Sequence, residues 1–306
     1  MARYLELCAD REEELCCAAK ALSSPVRLRI LRLLSSRTLN VKEIAAELGL
    51  PASSTAVNVR LLEEAGLIET CQQPGEHGAM KLCSRSCDLV TVRLTGEPMP
   101  ESSVYTVHMP VGNFTDCEVV PTCGLGTETG KIGQPDRKES FYLPERTGAQ
   151  ILWSSGGYVE YRFPNPVPAG EKIAKISFSM ELCSEAPGSR ENWPSDITLW
   201  INGQDCGVWT SPGDFGNRRG RLTPAWVSDW NSQYGLLTTW TVTEEGCFVN
   251  GQRTGATSLK LLGLDENRVI VMRVGNSPEA VHLGGFNLFG RRSGDFDQDI
   301  IMTVEC

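Results

Sequence analysis

Apolar positions recur every three or four residues between residues 10 and 65, and alternate with polar ones over much of the chain beyond residue 157. Asp10 with Glu13 three places on forms a helix cap pair, and Leu15, Ala19 and Leu22 follow on one stripe, which predicts a first helix over 10–22. Ser24 and Pro25 open a second helix with Val26, Ile30, Leu33 and Leu34 on one side and Arg27, Arg29 and Arg32 on the other. Asn40 and Glu43 cap a third, with Val41, Ile44, Ala45 and Leu48 inward. Gly49 permits a sharp turn before Pro51 starts a fourth, which Gly66 ends. Then "LIETCQQ" and "GAMKLCS" flank the turn-rich "PGEH", and "DLVTVRL" alternates as a further strand. Helices, a helix-turn-helix pair and a hairpin in this order make a winged helix.

The pattern changes after "LTGEPMPESS", which has neither helical nor strand period. The expected division is a winged helix over 1–95, a linker over 96–103 and a second domain over 104–306. In the second domain "GYVEYRF", "KIAKISFSMEL", "DITLWIN", "DCGVWT", "LLTTWTVT", "NRVIVMRV", "VHLGGFNLF" and "QDIIMTVE" read as strands. Ala174, Ile176, Phe178, Met180 and Leu182 should point inward, against Lys175, Ser177, Ser179 and Glu181 outward. The fold class is therefore α+β multidomain, a winged helix followed by an all-β antiparallel sandwich of jelly-roll type. Asn202-Gly203 fits a type I′ turn, pairing Ile201 with Gln204, Leu199 with Cys206 and Ile197 with Val208. The opposite face would then gather Asp196, Thr198, Trp200, Asp205 and Trp209.

Composition adds bounds. A chain of 306 residues, 41% hydrophobic and 22% charged, can bury a sizeable core, with two domains as the default. The start "MARYLELCADREEELCC" has acidic residues where a signal peptide needs an apolar run, and no stretch has the length of a membrane span, so a cytoplasmic protein is expected. The 12 cysteines are scattered and sit mostly beside apolar residues, which reads as reduced, buried thiols. Net charge is -9, yet residues 1–95 hold 12 basic and 12 acidic side chains, so the remaining 17 against 26 carry all the excess. Residues 20–93 alone have 10 basic and 7 acidic side chains, a sign that suits phosphate contact.

"SSPVRLRILRLL", "VKEIAAELGLPASSTAVNVRLLEEAGLIE" and the hairpin resemble the ArsR-type bacterial regulators over roughly residues 20–93. The resemblance implies a homodimer on double-stranded DNA, pairing through residues 6–22 and reading half-sites with the fourth helix. On that helix it turns Ser53, Ser54, Thr55, Val57 and Asn58 toward base edges and Arg60 toward a phosphate. Further phosphate contacts would come from Arg27 or Arg29, Lys42, and the wing's His77 and Lys81. The third helix, "VKEIAAEL", lacks the cysteines of the family's metal sensors, which argues against that version.

The second domain offers a ligand site. "PGDFGNRRGRLTPAWVSDWNSQYGLLTTW" concentrates Arg218, Trp226, Asp229, Trp230 and Asn231 in a Gly/Pro-rich stretch. Together with Asp196, Trp200, Asp205 and Trp209 these suit sugar recognition, because pyranose C–H faces pack on indole while hydroxyls need fixed polar partners. Each tryptophan also fits a large β core. "DFDQD" lacks the glycine and distal glutamate of a calcium loop and reads as a solvated turn. "GLGTETG" fails the dinucleotide fingerprint, and neither a P-loop nor a nucleophile elbow is present. No residue pattern nominates an enzyme, and none calls for a cofactor or metal. The expected function is a DNA-binding transcriptional regulator whose sandwich senses a small effector of sugar type. The rival is a carbohydrate-binding or carbohydrate-processing protein whose winged helix only mediates assembly.

Overall fold

The computed structural model describes residues 4–9, 11–75, 78–94, 103–264 and 268–306. The chain divides into two compact units, Met1–Glu101 and Ser102–Cys306.

In the first unit the helices are α1 (Glu12–Leu22), α2 (Pro25–Leu33), α3 (Val41–Leu48) and α4 (Ala52–Glu64). The expected pairing helix over 6–22 is shorter than its sequence suggested, because Tyr4–Cys8 is a strand paired in parallel with Leu89–Arg93. "YLELC" alternates at the period of a strand, and this partner decides it. Asp10, read as the cap of α1, lies outside the described residues. α3 has its capping box: Asn40 Oδ1 accepts from the amides of Lys42 (2.9 Å) and Glu43 (3.0 Å), while Glu43 Oε2 accepts from the Asn40 amide (2.7 Å). Ile30, Leu34, Ile44, Val59, Leu62 and Leu67 close a small core beneath the turn between α3 and α4. The wing strands Ile68–Gly75 and Gly78–Arg85 pair antiparallel, flanked by the short strand Leu39–Asn40.

The second unit is an antiparallel sandwich. Among the described residues its large sheet has ten strands and its small sheet five, and the chain passes repeatedly from one to the other. Lys175–Cys183 lies centrally in the large sheet, beside Leu236–Thr243 on one edge and Phe286–Phe289 and Ile300–Glu305 on the other. Between the sheets Phe178, Met180 and Trp240 from the large sheet meet Tyr161, Phe163, Leu199 and Met272 from the small one, all almost fully buried.

Two sequence expectations fail here for local reasons. The Asn202-Gly203 turn forms, with φ of +48° and +79°, and Ile201 pairs with Gln204. A bulge then slips the register by one: Thr198 faces Val208 and Ile197 faces Trp209, in place of Leu199 with Cys206 and Ile197 with Val208. The extra residue lies on the second strand, where Gly207 adopts φ +105° against Thr254 and its carbonyl accepts from Trp240 Nε1 at 3.0 Å. Trp209 therefore packs on the core side, away from Trp200, and the expected face of Asp196, Thr198, Trp200, Asp205 and Trp209 is broken up.

Glu181 is the second failure. It points to the outer face as the alternation requires, but that face is covered and Glu181 is 1% exposed. Its carboxylate accepts from the amides of Gly235 (2.8 Å), Asp295 (2.8 Å to Oε1) and Phe296 (2.9 Å). The "DFDQD" turn is likewise anchored: Asp295 is fully buried and takes both ends of the Arg218 guanidinium, at 3.1 and 2.5 Å. Only Asp297 of its three aspartates is exposed. These contacts pin the loop between strands Gln204–Ser211 and Leu236–Thr243 onto the sheet.

Two predictions follow from these anchors. Asn40→Ala removes the side-chain half of the α3 capping box and should lower protection of α3 amides from hydrogen exchange by about 1 kcal/mol, with the sandwich unaffected. Burial pushes Glu181 up to about 8, with Asp295 adding to it, and burial pushes Asp214 up to about 7. Their folded pKa values lie above the unfolded ones, so the native state holds more protons between about pH 4 and 8. The stabilisation is complete below the unfolded values and is lost as pH rises through the folded ones. Thermal unfolding of the sandwich should therefore shift to lower temperature from pH 5 to 8, and Asp214→Asn should flatten that slope.

Candidate functional site

The α3–α4 pair presents one candidate surface. Along α4 the spacing of Thr55, Val59 and Leu62 turns those residues into the core, which leaves Ser53, Ser54 and Val57 exposed and Asn58 half-buried. Thr55 thus departs from its expected base-edge role: it is fully buried, and its hydroxyl donates to the Pro51 carbonyl at 3.1 Å. Asn58 Nδ2 donates to the Ser54 carbonyl (2.9 Å), and its Oδ1 accepts from Arg27 (3.3 Å).

Arg27 is also diverted. Its guanidinium donates to the carbonyls of Ala21 and Lys20, both at 2.6 Å, at the C-terminal end of α1, where the helix dipole favours a cation. Arg29 and Lys42 stay exposed. Arg60 makes an exposed pair with Glu64 at 3.4 Å, and Lys81 of the wing pairs with Glu63 at 2.7 Å. The hydrogen bonds from Lys81 and Thr70 hold the Glu63 carboxyl below its usual range. Such exposed pairs are weak and exchange readily for phosphate. His77 lies outside the described residues.

A second candidate lies on the outer face of the large sheet, in a cavity of about 310 Å³. Its construction starts with the strand Cys123–Gly126, in which Gly124 and Gly126 face outward while Leu125 faces the core. A Cβ at Gly124 would run into the indole of Trp153, its cross-strand partner. One at Gly126 would lie 2.6 Å from Cζ2 of Trp226. Two bare glycines thus let two indoles lie against the sheet. Trp226 is held there by Nε1, which donates to the Thr127 carbonyl at 2.9 Å.

Polar groups converge beside the indoles. Glu185 is 9% exposed and accepts from Thr122 Oγ1 and Asn287 Nδ2, both at 2.9 Å. Burial, then the negative charge of Asp214, pushes its pKa up to about 8. Asp136 accepts from the Cys123 amide at 2.9 Å, and Asn231, Ser232 and Lys131 complete the lining.

Of the sequence-predicted ligand residues, the cavity brings together only Trp226 and Asn231. Trp200 lines a separate recess with Glu160 and Arg273. Asp196 instead binds the amides of Val281 and His282 and the Thr210 hydroxyl, and Asp205 caps the Gly207 amide at 2.7 Å. Trp209 packs on the core, and Arg218 is committed to Asp295 and lies 3.8 Å over the Tyr234 ring. Asp229 pairs with Arg219, and Trp230 is 83% exposed. Trp153, Glu185, Asp136 and Asn287 were missed, although the paired glycines of "GLG" carried a signal of close packing. No cysteine is in a disulfide, and among the described residues no cluster of three His, Cys, Asp or Glu is placed to hold a metal.

Residues 22–71 match a helix-turn-helix domain family. No curated protein matches the chain. Among solved structures, a homodimeric winged helix-turn-helix DNA-binding domain of a possible ArsR-family transcriptional regulator from Mycobacterium bovis is 26% identical, covering 26% of this chain and 68% of that one with a TM-score of 0.23. HlyU from Vibrio cholerae N16961 is 24% identical, covering 24% of this chain and 77% of that one with a TM-score of 0.22. The catalytic domain of Agl-KA covers 50% of this chain and 21% of its own at 10% identity and a TM-score of 0.24, too distant to bear on chemistry. The N-terminal unit is folded as a winged helix-turn-helix, part of which matches the helix-turn-helix domain family, and it is carried on one chain with an antiparallel β-sandwich.

Proposed function

We propose that this chain is a DNA-binding transcriptional regulator that acts as a homodimer in the cytoplasm, with a winged helix over 1–95, a linker over 96–103 and a sandwich over 104–306 that senses a small ligand of carbohydrate type. The observation that carries the DNA reading is the α3–α4 pair with Ser53, Ser54 and Val57 exposed on the outer side of α4, within the stretch that matches the helix-turn-helix family. The Mycobacterium bovis relative is named as homodimeric and DNA-binding, which supports both assignments. No helix of the described residues is long and apolar enough to cross a membrane.

In this reading Ser53, Ser54 and Asn58 choose bases and Val57 meets a thymine methyl, while Arg29, Lys42, Arg60 and Lys81 bind phosphates without regard to sequence. The single basic residue on the exposed side of α4 leaves affinity to charges elsewhere and to the second copy. The sandwich supports the sensing role by its half-open pocket with aromatic walls and a polar floor. A ligand shifts DNA affinity only by binding one dimer geometry better than another.

The test is gel retardation by the full chain on the DNA upstream of its own coding sequence. Ser54→Ala should weaken binding to that site at least about fivefold while leaving random DNA unaffected, the lower end of ~1–3 kcal/mol for a base contact. Lys42→Ala and Arg29→Ala should weaken every sequence alike, each reducing the slope of log affinity against log salt by about 1. Absence of retardation at low salt by the folded protein would overturn the reading in favour of an assembly role for the winged helix.

A further inference from the structure

We infer that the pocket on the outer face of the large sheet takes one ring of an amino sugar, with the Trp153 and Trp226 indoles against the ring and Glu185 and Asp136 against its ammonium group. The inference rests on the reading of the sandwich as a ligand sensor and names the ligand's chemical class. The pocket's size comes first. A cavity of about 310 Å³ is at the small end of ligand sites and suits a single ring.

The walls come next. Gly124 and Gly126 leave room for both indoles against the sheet, and the Trp226 ring nitrogen is already bonded to Thr127. What the indoles offer a ligand is therefore their faces, which attract C–H groups and cations. Asn231, Asn287, Thr122 and Ser232 supply neutral polar groups for hydroxyls.

The floor decides the charge. Glu185 is almost fully buried, yet both its hydrogen bonds come from neutral donors, and no lysine or arginine pairs with it or with Asp136 among the described residues. A carboxylate buried without a cation is costly, and at neutral pH it is better held as the acid. The charged groups around it are Asp136 from the loop after Lys131–Ile132, Asp214 from the loop after Gln204–Ser211, and Lys131, an exposed side chain at the rim. The neighbouring thiols of Cys123 and Cys183 are raised by burial and stay neutral below pH 8. A neutral sugar would leave Glu185 without a counter-ion, and a phosphorylated or acidic sugar would meet the two carboxyls of the lining, with Asp214 buried behind them. An ammonium group supplies the missing charge, and its binding releases the proton that Glu185 carries.

The experiment is calorimetry and tryptophan fluorescence on the full chain with glucosamine hydrochloride, glucose, N-acetylglucosamine and ethanolamine hydrochloride. Glucosamine should bind at least tenfold more tightly than the other three, with proton release visible as a buffer-dependent heat. Its affinity should rise about tenfold per pH unit from pH 5.5 to 7, because the proton on Glu185 must leave. Glu185→Gln should abolish that pH dependence and the preference over glucose, and Trp226→Ala should weaken both sugars alike. If Glu185→Gln does not fold, Asp136→Asn and the wild-type proton release decide. Equal binding of glucose and glucosamine without proton release overturns the cation assignment while sugar sensing stands. No response to any of the four, with DNA retardation intact, overturns the site and leaves the regulator reading in place.

Discussion

Three backbone amides converge on the buried carboxyl group of Glu181, and the cavity on the outer face of the large sheet depends on that convergence. The loop between strands Gln204–Ser211 and Leu236–Thr243 has no ladder of its own beyond isolated bridges such as Phe215 with Tyr234. Ordering each of its residues costs about 1–2 kcal/mol of backbone entropy, so it needs fixed anchors. Glu181 holds its end at Gly235, and through Asp295 it also positions the partner of Arg218. Arg218 lies over Tyr234, which stacks on Phe215. With the loop's middle and end fixed, Trp226 and Asn231 stand at the cavity wall. A carboxyl group in the middle of a covered sheet face thus does the positioning that a hydrophobic side chain could not, because only an acceptor can gather three amides from two segments.

The winged helix solves a different problem, that of binding a polyanion with few charges. Its fold is fixed by short-range devices: the capping box of α3, the left-handed Gly49 and the buried stripe Thr55, Val59 and Leu62. Because Arg27 closes the end of α1 and holds Asn58, one arginine orients a side chain of the proposed reading helix. In the proposed function, that orientation would lower the entropy Asn58 loses on meeting a base, favouring specificity over raw affinity.

Legibility in the sequence followed the range of the interactions. Caps, turns and strand periods are local, and the helix starts, the Asn202-Gly203 turn and the eight strand runs were readable. The Gly207 bulge was not, because it depends on Thr254 and Trp240 from distant strands. One added residue there moved Trp209 to the other face and dissolved the expected site. The burial of Glu181 and Asp295 was hidden for the same reason: their partners lie more than 50 residues away. Trp153 and Glu185 were missed because the strand that carries Trp153 is four residues long and Glu185 follows the end of another. Their setting was written in "GLG", where the glycines read as a failed nucleotide motif but leave room for indole.

The division of charge ties the two units together without requiring any contact between them. Residues 96–306 carry 17 basic and 26 acidic side chains, while residues 20–93 carry 10 and 7. An acidic sandwich is repelled by DNA phosphates, so in the proposed function the phosphate contacts would fall to the winged helix alone. The same negative field concentrates cations near the sandwich, and the pocket on its outer face adds two unpaired carboxyls beside two indoles. In the proposed function, a single electrostatic bias would keep the sandwich off the polyanion and draw a cationic ligand to it, so that one acidic chain could handle partners of opposite charge.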